Sequence, residues 1–293
     1  MLKIFRELSP DPQPCVLLLG GFDGLHAGHR ALLKAARKYG CPIGITSISG
    51  GKPGGDLFTF PEREYIYERA GISFVCEFVF SDRLKNTSAE AFVRQLLSCF
   101  APRAVLCGSD FRFGKGALGT PQLLQEICPC PVEVHELMCI GGEKVSSSQI
   151  KRLLSAGAMS EVNALLQADY FIQGVVEHGR HVGHSLGFPT TNLTFPPEKY
   201  PLAEGVYGGY AETRDGVFAA IVNVGARPTF GVTERKVEAY LDGFDGDLYG
   251  STLRVFPKRF YRPVQRFSDV AALREQLMQD IRRLKDDQVR TER

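Results

Sequence analysis

No apolar run in this chain approaches the roughly 18 residues that cross a bilayer as a helix; runs such as Val16 to Leu19 stop far short of it. The opening MLKIFRELSPDPQ also lacks the hydrophobic core of a signal peptide, so a cytoplasmic location and no membrane partner are expected. Charge of one sign is missing as well. The net charge is +2, with 18 basic and 16 acidic side chains up to Ala168 and 17 of each beyond it. A nucleic-acid partner is excluded on that ground, because a surface that tracks phosphates needs a basic surplus. Any anionic ligand must be gripped locally. No CxxC pair occurs, the closest cysteines being Cys128 and Cys130, which excludes a zinc knuckle or a thioredoxin-like redox pair. Cysteine is absent altogether after Cys139, the last of eight. Several of the eight sit in apolar runs, where free thiols behave as small hydrophobes. The two halves therefore differ in composition.

What is present describes a globular protein, with 44% hydrophobic and 23% charged residues. A length of 293 residues exceeds what one core usually fills, and two domains are expected, at residues 1–168 and 169–293. In the first, short apolar runs at Cys15 to Leu19, Pro42 to Ile48, Phe74 to Phe80, Ala104 to Cys107 and Pro131 to Leu137 alternate with helical patterns. TSAE from Thr87 reads as a capping box, and Thr120-Pro121 as an N-cap before proline. Alternation of this kind predicts an α/β fold with a parallel sheet, whose ligands sit beyond the carboxyl ends of the strands. Two short helices split at Gly157 follow. From Tyr170 the pattern becomes strand-like runs separated by Gly, Pro and Asp turns, which predicts a small antiparallel barrel. One helix, Asp269 to Lys285, closes it with an apolar stripe through Val270, Leu273, Leu277, Ile281 and Leu284.

Two constellations carry chemistry. GGFDGLHAGHRALL follows the first apolar run, where a strand hands over to a helix. The Gly20-Gly21-Phe22-Asp23-Gly24 turn lets the backbone approach a phosphate, and the helix N-terminus offers free N–H groups. His26 and His29 stand one turn apart and suit hydrogen bonding to phosphate oxygens as charge builds during phosphoryl or nucleotidyl transfer. In the second half, GRHVGHSLGFPTTN places Gly179 and Gly183 in glycine turns suited to backbone contact with phosphates. Thr190 and Asn192 lie two apart in an extended segment and so point the same way, offering oxygen donors of the kind Mg²⁺ prefers. Glu238, a lone acid in the apolar run VEAYL, is a candidate base for an attacking hydroxyl.

GFDGLHAGH, CGSDFRFGKGALG and VSSSQIKRLL together resemble the HxGH nucleotidyltransferase superfamily in the form used by bacterial FAD synthetases. GFPTTN, GVYGG, NVGARPTF, VEAYLD, LYG and RPVQRF, in that order, resemble the riboflavin kinase module from about Phe171 to Asp280. The resemblance implies a Rossmann-like domain followed by a six-stranded barrel with a terminal helix. It implies riboflavin, FMN, FAD and ATP as ligands, and Mg²⁺ as the cofactor. In the first module ATP would be bound by the turn from Gly20 to Gly24, by His26 and His29 as catalytic groups, and by Ser147, Ser148 and Lys151. Asp110 and Phe111 would border the FMN. In the barrel the resemblance implies Thr190 and Asn192 on the metal, Gly179 and Gly183 on ATP, and Glu238 as base. Gly205, Tyr207, Arg262 and Phe267 would border the flavin. The implied activity is ATP-dependent phosphorylation of riboflavin to FMN and adenylylation of FMN to FAD. Three departures support an alternative, a kinase whose first module is only regulatory. SISGGKPGGDLF carries no histidine where the family has a PHP segment, and Lys151 and Ala117 stand where arginines are usual. Gly21 also stands at an asparagine position, and Tyr240 where His or Phe is common. A non-catalytic flavin-binding protein is a further reading, opposed by the pairing of PTTN with Glu238. No oligomeric state follows from the sequence.

Overall fold

The computed structural model describes residues 1–51, 53–177, 188–229 and 232–291. Backbone contacts divide the chain into two units, residues 1–150 with 198–200, and residues 151–197 with 201–293.

The first unit alternates strand and helix. In chain order it comprises β1 (Lys3–Phe5), β2 (Asp11–Leu19), α1 (Ala27–Ala36), β3 (Ile43–Ser49), α2 (Phe60–Arg69), β4 (Phe74–Val79), α3 (Asp82–Asn86), α4 (Ala89–Cys99), β5 (Phe100–Gly108), α5 (Pro121–Ile127) and β6 (Val132–His135), then the hairpin β7 (Cys139–Ile140) and β8 (Glu143–Lys144). The six longer strands form one sheet in the order β1-β4-β3-β2-β5-β6, every pairing parallel. The five apolar runs of the sequence are five of these strands. The sixth, β1, has three residues and is too short to show a pattern. Successive residues of a strand face opposite sides, so Leu17 and Leu19 of β2 pack with Phe92 and Leu124 under α4 and α5. Val16 and Leu18 pack with Leu32, Leu33 and Tyr67 under α1 and α2.

Helix starts follow local hydrogen bonding. Thr120 caps α5, its hydroxyl accepting from the Leu123 N–H ahead of Pro121. α2 opens with a reciprocal capping box between Thr59 and Glu62. At α4 the cap is one residue later than TSAE suggests: Ser88 accepts from the Ala91 N–H. The Thr87 hydroxyl is diverted to the Arg83 carbonyl of α3, 2.8 Å away.

The helices α6 (Ser147–Ser155) and α7 (Met159–Leu166) come next, and Gly157 between them sits at φ +68°, a conformation glycine adopts at no steric cost. Strands β9 (Ile172–Glu177), β10 (Thr190–Thr194), β11 (Gly205–Thr213), β12 (Gly216–Thr229), β13 (Val232–Leu241) and β14 (Thr252–Arg262) close into a barrel of order β10-β13-β12-β11-β14-β9. Val222, Val237, Ala239 and Leu253 are fully buried and alternate with outward-facing neighbours. The terminal helix α8 (Val270–Thr291) lays Ile281 and Leu284 on the outer wall against Val206, Ile221, Tyr240 and Tyr261.

Candidate functional site

In the first unit β2 connects through α1 to β3 on one side, while β5 connects through α5 to β6 on the other. The crevice between the carboxyl ends of β2 and β5 is the topological switch point, where open α/β sheets bind ligands. The loops leaving these two strands carry the residues singled out above.

The turn after β2 is tightly determined. Phe22 adopts φ +39°, a strained value for a bulky residue. It is held there by burial of its ring and by its carbonyl, which accepts the Tyr67 hydroxyl. Gly20 must lack a side chain because a Cβ would lie 2.9 Å from the Phe22 ring, and at Gly24 the Phe58 ring is equally close. Gly21 faces open space. Asp23 is buried and accepts the Leu57 N–H at 2.9 Å.

His26 is the N-cap of α1. Its Nδ1 accepts the backbone N–H of His29 at 3.4 Å, so in the neutral ring the proton lies on Nε2. His29 Nδ1 lies 2.7 Å from the Gly24 carbonyl. A carbonyl only accepts, so His29 carries a proton on Nδ1. The two rings stack with centroids 3.7 Å apart, and Phe22 stacks on His29 at 4.4 Å. Burial pushes His26 down to about 4, with Lys144 acting in the same direction and Asp110 against it. Asp110, in the loop after β5, forms an ion pair with Lys144 of β8. Both charges act on His26 from the loop after β5 and from the hairpin. Phe111 stacks on Phe113 at 5.2 Å. Ser147 and Ser148 open α6, whose cap is Ser146, its hydroxyl accepting from the Gln149 N–H at 3.2 Å; Lys151 follows one turn later and is buried. Lys144 is the residue that sequence reading missed. Its only signal is its place directly before VSSSQI.

In the barrel unit, register aligns the candidate residues. Asn192 on β10 pairs with Glu238 on β13, which pairs in turn with Asn223 on β12. A cavity of about 180 Å³ lies between this outer wall and α8, lined by Thr190, Asn223, Glu238, Tyr240, Arg262 and Phe267 among others. Arg262 is fixed by Asp280 of α8, which accepts its Nε at 3.1 Å and its Nη2 at 2.8 Å, and its guanidinium lies 5.8 Å from the Phe267 ring centroid. A second cavity, of about 410 Å³, is lined by Pro189, Thr190, Thr191 and the segment from Phe244 to Tyr249. Thr190 belongs to both. The Phe244 to Tyr249 segment is another feature not assigned from sequence, although LYG overlaps its end.

Gly205 and Tyr207 sit elsewhere in the wall. A Cβ at Gly205 would lie 2.4 Å from the Phe260 ring. Tyr207 is fully buried, packs edge-on against Phe260 and donates its hydroxyl to the Ala203 carbonyl at 2.6 Å. Gly179 and Gly183 lie outside the described residues. Among the described residues no cluster of three or more His, Cys, Asp or Glu could hold a metal. Thr190 and Asn192 nonetheless fit Mg²⁺: they are neutral oxygen donors on one face of β10, adjacent to a carboxylate, in a site that nucleotide phosphates would complete.

Residues 8–149 match the family model for FAD synthetase, and residues 166–287 match that for riboflavin kinase. A bifunctional riboflavin kinase/FMN adenylyltransferase of Mycoplasma pneumoniae is 31% identical, covering 91% of this chain and 94% of that protein. One from Pseudomonas fluorescens is 30% identical, covering 96% and 95%. A crystal structure from Streptococcus pneumoniae, described as a macrolide-efflux protein, superposes with a TM-score of 0.87 at 26% identity, covering 97% of this chain and 98% of that one. Among the described residues of this chain no helix is long and apolar enough to cross a membrane. Similarity that runs through both halves, at and above 30% identity, settles the assignment: the chain belongs to the bifunctional riboflavin kinase/FMN adenylyltransferase family.

Proposed function

We propose that the two reactions of the family are divided between the units as follows. The barrel unit phosphorylates riboflavin; the α/β unit adenylylates the FMN so formed. The observation that carries the first assignment is that Thr190 lines both barrel cavities while Glu238 lines the smaller one. ATP in the larger cavity and riboflavin in the smaller would meet at Thr190. Glu238 then accepts the proton of the ribityl 5′-hydroxyl as it attacks the γ-phosphate, and ADP leaves. Mg²⁺ would be held by Thr190 and Asn192, where it supplies charge neutralisation on the transferring phosphoryl group. Arg262 and Phe267 shape the flavin end of the cavity.

At the switch point of the sheet, the α-phosphate of a second ATP is attacked by the FMN phosphate, and pyrophosphate leaves. The neutral His26 can donate from Nε2 to a phosphate oxygen without having first lost a proton, and the free N–H groups at the starts of α1 and α6 add their dipoles. Ser147, Ser148 and Lys151 approach the phosphates from α6. Asp110 and Phe111, with the Lys144 partner of Asp110, border the FMN. A cytoplasmic setting fits two ATP-consuming steps.

Incubation with riboflavin, ATP and MgCl₂, followed by chromatographic separation of FMN and FAD, tests the division. The wild-type chain should give both. Glu238→Ala should give neither from riboflavin but FAD from supplied FMN. FMN alone from the wild type would support the kinase-only alternative, whose basis is the missing PHP histidine and the lysine at 151.

A further inference from the structure

Asn223 stands on β12 directly across from Glu238 and lines the same small cavity. The carboxamide oxygen of Asn223 is buried and accepts no hydrogen bond among the described residues. A buried acceptor without a donor is costly, and native proteins keep such atoms where something outside the chain completes them.

No donor of the cavity wall reaches that oxygen among the described residues, although Thr190 carries a hydroxyl there. The Tyr240 hydroxyl is given to Asp242 at 3.1 Å. Arg262 gives Nε and Nη2 to Asp280 and Nη1 to the Pro263 carbonyl. Gln265 gives its amide N–H to Gln276 at 3.4 Å. A carboxylate has only acceptors to offer. Asn192 lies beyond Glu238, two strands and so roughly 10 Å from Asn223. With no wall donor reaching the oxygen among the described residues, the geometry leaves the donor to the occupant. Isoalloxazine presents its carbonyls and ring nitrogens mostly as acceptors, whereas a ribityl chain is a row of hydroxyl donors.

Resting on the reading that this cavity receives riboflavin, we propose that Asn223 is a substrate-binding residue that accepts a hydrogen bond from a ribityl hydroxyl. Neighbouring strands stand about 4.8 Å apart, so Asn223 and Glu238 can engage two hydroxyls of one polyol chain. One is held by the carboxamide and the other, the terminal one, is deprotonated by the carboxylate. Asn223 thereby selects flavins that carry a polyol and sets its terminal hydroxyl at the base.

Asn223→Leu, close in volume and apolar, is the test, read against lumiflavin, which has the ring but no polyol. Riboflavin binding and KM should weaken roughly three- to tenfold, the loss of one neutral hydrogen bond. Lumiflavin binding, followed by fluorescence titration, should not change, nor should FAD formation from supplied FMN. Thermal stability should equal or exceed wild type, because an unpartnered buried acceptor is gone. Wild-type affinity for riboflavin in the variant, or equal weakening of riboflavin and lumiflavin, would overturn the proposal. Glu238→Gln run alongside separates the two ideas: retained riboflavin phosphorylation there would remove the kinase-site reading itself. If Asn223→Leu does not fold, the riboflavin-to-lumiflavin ratio of Asn223→Ala decides by the same criterion.

Discussion

Glu62 and Lys199, 137 residues apart in sequence, form an ion pair in which neither side chain has any exposed surface. Lys199 belongs to the three-residue segment 198–200 that completes the first unit. The segment is fastened at its backbone, with the Asp56 N–H donating to the Glu198 carbonyl at 2.7 Å and the Tyr200 N–H to the Asp56 carbonyl at 2.6 Å. The Lys199 ammonium also lies 4.5 Å above the Phe58 ring, and Glu62 accepts the Thr59 N–H in the capping box of α2.

Removing the lysine leaves a buried carboxylate without its cation. Lys199→Met should destabilise the first unit by about 3–5 kcal/mol. Adding Glu62→Gln should recover part of that loss, because the uncompensated charge is then gone. Scanning calorimetry of the full chain measures both. A single variant that melts with wild type would mean that the pair is replaceable by solvent.

Much of this architecture is readable in the sequence, and the exceptions have physical reasons. β2 to β5 appear as apolar runs because parallel strands inside a sheet are buried on both faces, while the edge strand β6 is half-buried throughout. The His26 turn is readable because glycines, histidines and a strand-to-helix junction are local features. The Glu62–Lys199 pair is not, since only the fold brings position 199 to α2. The Asn192–Glu238–Asn223 row likewise needs strand register, which no local pattern encodes. Lys144 looks like an ordinary surface lysine until the hairpin sets it beside Asp110.

The His26 ring gives the first unit a particular pH response. Its folded value of about 4 lies below the ordinary 6.5, so between these pH values the unfolded chain binds a proton that the folded chain refuses. Stability from this group is complete above about 6.5 and is lost progressively as pH falls toward 4. At ~1.4 kcal/mol per pH unit the loss is at most about 3.5 kcal/mol. Denaturant titrations at pH 7 and pH 5 should show a smaller difference for His26→Gln than for wild type. An unchanged difference would place the acid sensitivity in other groups. FAD formation from FMN should fall at least about a hundredfold in the same variant, by analogy with loss of one oxyanion donor.

Gly21 stands at a family asparagine position, yet nothing lies within 4 Å of a Cβ there and its φ is outside the left-handed region. Gly21→Asn should therefore fold with a stability within about 0.5 kcal/mol of wild type and keep FAD synthesis. Thermal melts and the FMN-to-FAD assay check this. A marked loss of activity with an unchanged melt would show that the open space at Gly21 is used by the nucleotide.

Asp280 ties α8 to the barrel through Arg262. The carboxylate is buried, takes three hydrogen bonds from Arg262 and one more from Gln276 at 3.0 Å, and lines the same cavity as Glu238. Asp280→Ala leaves a largely covered guanidinium without its carboxylate, at a cost of about 3 kcal/mol. Much of it should appear as looser docking of α8 over the flavin cavity. KM for riboflavin should rise more than kcat falls, whereas FAD formation from supplied FMN, at a temperature below the melting transition, should stay as in wild type. Asp280→Asn keeps an acceptor for the guanidinium and should fall between the two. Equal losses in both reactions would mean that the pair supports the whole chain rather than the flavin cavity, and an unaltered KM would mean that α8 closes this cavity without needing Arg262 held in place.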